Sequence, residues 1–197
     1  MRKLVVSEFL TLDGVMQGPG SPDEDRDGGF DKGGWQMPFN DEEQMKVVSE
    51  GIAATDAYLL GRRTYEIFAR YWPHQSDDDP FAATLNNRPK HVVSNSLREP
   101  LDWRNSKLIE GNVVKEIAAL KASEGKNISV LGSGQLVQTL AKNGLVDEYW
   151  LMICPIVLGQ GKRLFRDGFA PSGFELVEST TNSKGAFMGT YRPIAAG

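Results

Sequence analysis

Short β-branched and aliphatic runs alternate along this chain with stretches whose apolar positions recur every three or four residues, the pattern of strands interleaved with amphipathic helices. Residues 4–12, rich in Val, Leu and Phe and interrupted by Ser7 and Glu8, predict a first strand that ends at Thr11-Leu12-Asp13-Gly14. From residue 14 to 35 no periodicity survives among the Gly, Asp and Pro residues. A structureless segment of that length is more often a functional lid or a mobile loop than an ordinary connection. Asn40 then offers a cap with Glu43 three residues on, and Met45, Val48 and Ile52 share one face, predicting a helix of about four turns.

Residues 57–60 predict a second strand, closed by Gly61, and the following Arg62-Arg63-Thr64-Tyr65-Glu66 opens a helix that Pro73 stops. Residues 89–94 predict a third strand running into Asn95-Ser96, and residues 107–109 a short one. Asn112 caps a helix with the stripe Val114, Ile117, Ala118 and the Lys121 stem. Residues 128–140 then read as strand, glycine turn and helix around Gly132-Ser133-Gly134. The glycines allow a sharp turn and close approach of a ligand, and the first amides of the helix suit a phosphate, although Gly-x-Gly also serves as a plain tight turn. Residues 146–158 predict a strand bent at Pro155, and residues 174–178 with 186–192 a closing hairpin. The alternation predicts an α/β domain of three layers over residues 1–197, with a mostly parallel mixed sheet and an antiparallel C-terminal hairpin.

A length of 197 residues fits one domain, and a net charge of -4 with a pI near 5.3 leaves no basic field for nucleic acid. No apolar run approaches a membrane span, and the N-terminal one is too short for a signal peptide, so a cytoplasmic protein is expected. The one cysteine, Cys154, lies in an apolar run and reads as a buried thiol, and with only His74 and His91 besides, no metal site is expected.

Three predicted strand ends carry small or polar groups: Gly61-Arg62-Arg63-Thr64, Ser94-Asn95-Ser96 and Gly132-Ser133-Gly134. In an open parallel sheet ligands sit beyond the carboxyl ends of the strands, so these three would face one crevice. The arginines read as a solvated first turn or as anion ligands; a helix start disfavours cations, which points to a compensating anion.

The order and spacing of these segments, with Thr11-Leu12-Asp13-Gly14, Leu131-Gly132 and Pro155-Ile156-Val157-Leu158-Gly159-Gln160-Gly161, resemble the dihydrofolate reductase superfamily. The likeness is to its branch containing the C-terminal reductase domain of the bifunctional riboflavin-biosynthesis deaminase-reductase, and it covers nearly the whole chain. It implies that fold, NADPH as cofactor, and hydride transfer to a small heterocyclic or ribosylaminopyrimidine-like substrate, as in 5-amino-6-(5-phosphoribosylamino)uracil reductase. It places the cofactor pyrophosphate on Gly61, Thr64 and the glycine turn. The 2′-phosphate falls to Arg62 or Arg63 with Ser94, Asn95 and Ser96, and the nicotinamide near Gly132, Ser133, Gly134, Gln135 and Leu136. Asp13 matches an Asp-Gly that lies close to cofactor and substrate in that branch, making it the candidate catalytic residue; its other reading is a turn residue before Gly14. Trp35 and Met37 line the substrate pocket or belong to the core. The acid that folate reductases place one turn into their substrate helix falls here at Gln44 or Met45, with Glu43 better explained as a cap, so dihydrofolate is the less favoured substrate.

The riboflavin-type reductases pair through the C-terminal edge, and an apolar edge here predicts a homodimer. A nucleotide-binding or regulatory protein without reductase activity is the alternative. A phosphotransferase is disfavoured, for there is no P-loop and no carboxylate pair for magnesium.

Overall fold

Burial along the first strand, β1 (Leu4–Thr11), alternates with the two-residue period of a pleated strand, whereas the two strands at the centre of the sheet, residues 55–61 and 127–131, are buried almost continuously. Leu4, Val6 and Leu10 pack with Ile117, Val137 and Leu140 on one face, while Phe9 points to the other and meets Trp150 edge-on at 5.9 Å between ring centroids. The computed structural model describes residues 1–169 and 171–194; the domain expected over 1–197 also takes in residues 170 and 195–197, which lie outside them.

After β1 the chain forms α1 (Glu42–Ala54), β2 (Thr55–Gly61), α2 (Arg62–Tyr71), α3 (Pro80–Asn87), β3 (Lys90–Val93) and β4 (Ser106–Ile109). It continues through α4 (Val113–Ala122), β5 (Asn127–Leu131), α5 (Gly134–Lys142), β6 (Glu148–Cys154), β7 (Phe174–Thr181) and β8 (Phe187–Pro193). The strands join one sheet in the order β4-β3-β2-β5-β1-β6-β8-β7, parallel from β4 to β6 and antiparallel at β6–β8 and β8–β7. Helices cover both faces. Residues from α4 and α5 close the core around Leu59, Ile128 and Val130, while Tyr65 of α2 and Leu85 of α3 pack on Tyr58, Leu60 and Val92 from the opposite side. This is the mixed-sheet α/β architecture the sequence predicts.

The differences have local causes. Asp41, not Asn40, caps α1, accepting from the Gln44 N–H at 2.9 Å. That sets the inward face at Gln44 and Val47 and leaves Met45 58% exposed. α3 has no counterpart among the predicted elements: Asp79 caps it, accepting from the Phe81 and Ala82 amides, and Pro80 occupies the first turn, where a missing N–H costs nothing, while Asp77 and Asp78 stay exposed in the turn before it. β6 ends at Cys154, and residues 155–158 leave the sheet.

The segment 14–35, read as a functional lid or a mobile loop, is irregular as its sequence implies, and it is fastened to the rest of the fold. Val15 forms a bridge with Arg163, and the Met16 N–H donates to Lys162 O at 2.8 Å. The buried Gln17 side chain donates to Asp25 O and Asp27 O and accepts from the Lys162 N–H. Lys162 Nζ reaches Asp25 at 2.7 Å and Asp27 at 3.0 Å. Phe30 and Trp35 are buried beneath. Hydrogen bonds to side chains and loop carbonyls thus replace the periodic pairing that the sequence lacks.

Candidate functional site

Two strand-to-helix junctions lie side by side where β2 and β5 end. At the first, Gly61 precedes α2 in extended conformation and supplies no side-chain cap. At the second, Ser133 precedes α5 in the left-handed region (φ 70°, ψ 44°), also without capping its own helix. Its hydroxyl reaches across instead, accepting from the Gly61 N–H at 2.8 Å and donating to Thr64 Oγ1 at 2.9 Å. One side chain therefore fixes the spacing of both helix starts. Gly132 also has positive φ, and a Cβ there would lie 2.9 Å from Thr64 Oγ1, so glycine is required both by conformation and by contact. With neither helix capped by its own side chain, the first amides of α2 and α5 stay available, and the positive ends of both helices favour an anion between them.

These junctions open on a cleft of about 2040 Å³. Pockets for a single small ligand measure roughly 300–1,000 Å³, so the space suffices for a dinucleotide and a second molecule. The cleft gathers positions 61–64, 94–96 and 132–136 and extends under α1 past Ser7, Ser129, Met37 and Gln44. Met37 is 55% exposed. Gln44 is buried, and its side-chain oxygen has no hydrogen-bond partner. The sequence-marked positions thus converge, with two exceptions.

Trp35 does not line the cleft: it is buried in a separate cluster with Phe30 and Met152, its indole N–H donating to Gln17 O at 2.8 Å. Asp13 does not line it either. Its carboxylate accepts from the Thr11 hydroxyl at 2.6 Å and from the amides of Leu158 (3.2 Å) and Gly159 (2.9 Å), while Arg163 Nε donates to its carbonyl at 2.7 Å. The Thr11 hydroxyl leads in holding this carboxyl down to about 2, aided by the two amides. Asp13 is ionised at neutral pH and cannot supply a proton; its bonds are those of a residue that ties the end of β1 to the 158–163 loop.

The arginines already have counter-ions. Arg62 meets Glu66 one turn along α2 at 2.9 Å, and Arg63 meets Asp27 of the 14–35 segment at 2.6 Å. The anion that the helix start called for is, in this structure, a carboxylate of the chain itself. Ser94 Oγ accepts from the Ser96 and Leu97 amides and shapes the turn after β3, leaving Asn95 and Ser96 exposed.

One residue in the cleft escaped the sequence reading. Glu8 is 5% exposed, lines the cleft, and its Oε1 has no hydrogen-bond partner. Burial raises its carboxyl well above the ordinary range, the Glu24 charge adds to the shift and the Gly132 amide opposes it. Among the described residues no group of three or more His, Cys, Asp or Glu converges as a metal site would. Cys154 is buried and unpaired, its thiol pushed up to about 12 by burial.

The profile of the RibD C-terminal domain family matches residues 2–188. The chain is similar to the uncharacterized protein YyaP of Bacillus subtilis (strain 168), at 28% identity over 96% of this chain and 94% of that one. Among solved structures, it resembles a candidate riboflavin biosynthesis protein from Shewanella sp. PV-4, with a TM-score of 0.72 and 23% identity over 98% and 99% of the two chains. It also resembles dihydrofolate reductase from Enterococcus faecalis complexed with NADP(H) and RAB-propyl, with a TM-score of 0.60 and 16% identity over 97% and 96%. The fold is therefore dihydrofolate reductase-like. No helix among the described residues is long and apolar enough to cross a membrane.

Proposed function

The chain belongs to the RibD C-terminal domain family, and from that membership we propose that it is an NADPH-dependent reductase of a small heterocyclic or ribosylaminopyrimidine-like substrate. The observation that carries this reading is the pair of helix starts, stapled by Ser133 and opening on one cleft with room for two ligands. NADPH supplies the hydride, and the residues supply position and electrostatics. The amides of α5 and the Gly132-Ser133-Gly134 turn would hold the pyrophosphate together with Thr64. Arg62 or Arg63, with Ser94, Asn95 and Ser96, would take the 2′-phosphate, and Gln135 and Leu136 would border the nicotinamide. Binding then means exchanging Glu66 or Asp27 for the phosphate, which adds roughly one and a half to two negative charges. The substrate would lie beside Met37 and Gln44, where the free amide oxygen of Gln44 can read a ring N–H. Asp13 would serve by fixing the 158–163 loop. An amide rather than an acid at position 44 argues against dihydrofolate as the substrate.

The carboxylates already paired with both arginines favour, as a second reading, a nucleotide-binding or regulatory protein without hydride transfer. Fluorescence titration of wild type, Arg62→Ala and Arg63→Ala with NADPH and NADH tests the assignment. Charge-assisted hydrogen bonds contribute about 1.5–3 kcal/mol each, so the relevant variant should bind NADPH roughly ten- to a hundredfold more weakly and NADH unchanged. Equal wild-type affinities for the two cofactors would refute the 2′-phosphate site, and binding of neither would remove the reductase reading. Stereospecific transfer of hydride to any substrate separates reductase from regulator.

A further inference from the structure

β1 runs four residues beyond its neighbour on one side: Ser7 is opposite Leu131, the last residue of β5, and the first residue past it, Glu8, is paired only with Leu151 of β6. The chain leaves β5 for α5 on one face of the sheet and leaves β1 for α1 on the other, so the β5–β1 boundary is a topological switch point, where open α/β sheets place their ligands. Glu8 continues the face of Leu4 and Val6, beside the Gly132 amide and the start of α5.

Two other shielded carboxylates are paired with cations. Glu148 takes Lys3 at 2.8 Å and Arg192 at 3.2 Å, and Asp25 takes Lys162 at 2.7 Å. Glu8, buried at 5% exposure, has no cation among its described ion pairs and one oxygen with no partner at all. A buried carboxyl without a cation is tolerated as the neutral acid. The charged groups around this part of the cleft leave it so: Lys162 is held by Asp25 and Asp27, Arg163 by Asp13, and Arg166 donates to Gln138. The first turn of α5 bears no titratable side chain, and Glu24, the charge that reaches Glu8, is negative.

Resting on the reductase reading above, we propose that Glu8 is the catalytic acid of this site and that its substrate carries a carbon doubly bonded to nitrogen or oxygen, an imine or a carbonyl. As that carbon accepts hydride from the reduced nicotinamide, the π electrons move to the heteroatom. The Glu8 O–H bond breaks and an N–H or O–H bond forms there. The carboxylate left behind regains its proton from water. The acid thus stands on β1 beside the glycine turn, not on α1, where Gln44 holds the other free polar group.

Infrared difference spectra and NADPH oxidation test this on the full chain. Wild type at pH 7 should show a protonated-carboxyl band that Glu8→Gln lacks and that added NADP⁺ shifts. Glu24→Gln, which keeps Glu8, should move the titration of that band to lower pH. With 5-amino-6-(5-phosphoribosylamino)uracil as the oxidant, Glu8→Gln should slow single-turnover NADPH oxidation at least a hundredfold, within the range of general-acid catalysis, at unchanged NADPH affinity. Absence of the band at pH 7, or a Glu8→Gln rate within threefold of wild type, overturns the proposal and leaves the reductase reading standing. Failure of wild type to bind NADPH overturns both.

Discussion

Replacing Gly132 by alanine probes the point where the two helix starts meet. The backbone there is left-handed (φ 57°), which costs an L-residue about 1–2 kcal/mol. The added Cβ would also lie 2.9 Å from Thr64 Oγ1 and 3.1 Å from its Cγ2. Thr64 cannot turn away freely, since its hydroxyl accepts the 2.9 Å bond from Ser133, and losing that bond costs about 1 kcal/mol. The two costs sum to about 2–3 kcal/mol, or a fall in Tm of roughly 4–12 °C for a chain of this size. Thr64→Ala removes both close atoms and leaves only Cβ at 3.6 Å, so in the double variant the contact cost disappears while the conformational cost remains. Urea unfolding of wild type, both single variants and the double variant should therefore show a favourable coupling of about 1 kcal/mol. NADPH titration of the same four proteins should show weaker binding wherever Gly132 is changed. A loss of less than about 0.5 kcal/mol in Gly132→Ala, or strict additivity in the cycle, would refute this account of the junction.

Asp13→Asn should destabilise the protein by about 1–2 kcal/mol at pH 7, the depressed carboxyl being discounted for its partial exposure. Because the folded value of about 2 lies below the ordinary one, this contribution is whole above about pH 4 and vanishes as pH falls toward 2; a penalty that grows on acidification in urea titrations would contradict it. The edge strand β7 exposes Leu176 (48%) and Val177 (44%), an apolar edge of the kind that pairs or aggregates unless covered, so light scattering should give twice 21.7 kDa, and Leu176→Asp with Val177→Lys should give the monomer. A wild-type monomer at micromolar concentration would remove the homodimer.

Most of the strand order was legible because the signal is strong where both faces of a strand are buried. Residues 57–60 and 128–131 are nearly continuous apolar runs, and both lie at the centre of the sheet. The helix at Pro80–Asn87 was not legible: three aspartates precede it, and the one that caps it differs from its neighbours only in its place before Pro80. The order within the 14–35 segment was hidden for a different reason. Its order comes from contacts distant in sequence, Val15 with Arg163 and Gln17 with Lys162, and no local pattern reports such contacts. The arginine pair was seen, but its partners were only half accessible. Glu66 stands at the i+4 spacing from Arg62 that a helix makes adjacent, whereas Asp27 reaches Arg63 from across the fold.

Glu8 did leave a trace in the sequence. In Leu4-Val5-Val6-Ser7-Glu8-Phe9-Leu10 the positions 4, 6, 8 and 10 fall on one face of a strand, and three of the four are aliphatic. An acid in the third place is either an interruption of the strand or a carboxyl carried into the core by it. Two-residue periodicity decides between them, because Leu10 resumes the buried face and the strand must therefore pass through Glu8 without turning it outward. What periodicity cannot supply is the partner. Whether such a carboxyl meets a cation depends on the register of β5 and on the segments over the cleft, and here β5 stops one residue short while the nearby cations are held by Asp13, Asp25 and Asp27. The carboxylates that fasten the loops over the cleft keep those cations from Glu8, so replacing Asp25 and Asp27 together, which removes both partners of Lys162, should draw the Glu8 titration, read by its infrared band, back toward the ordinary range.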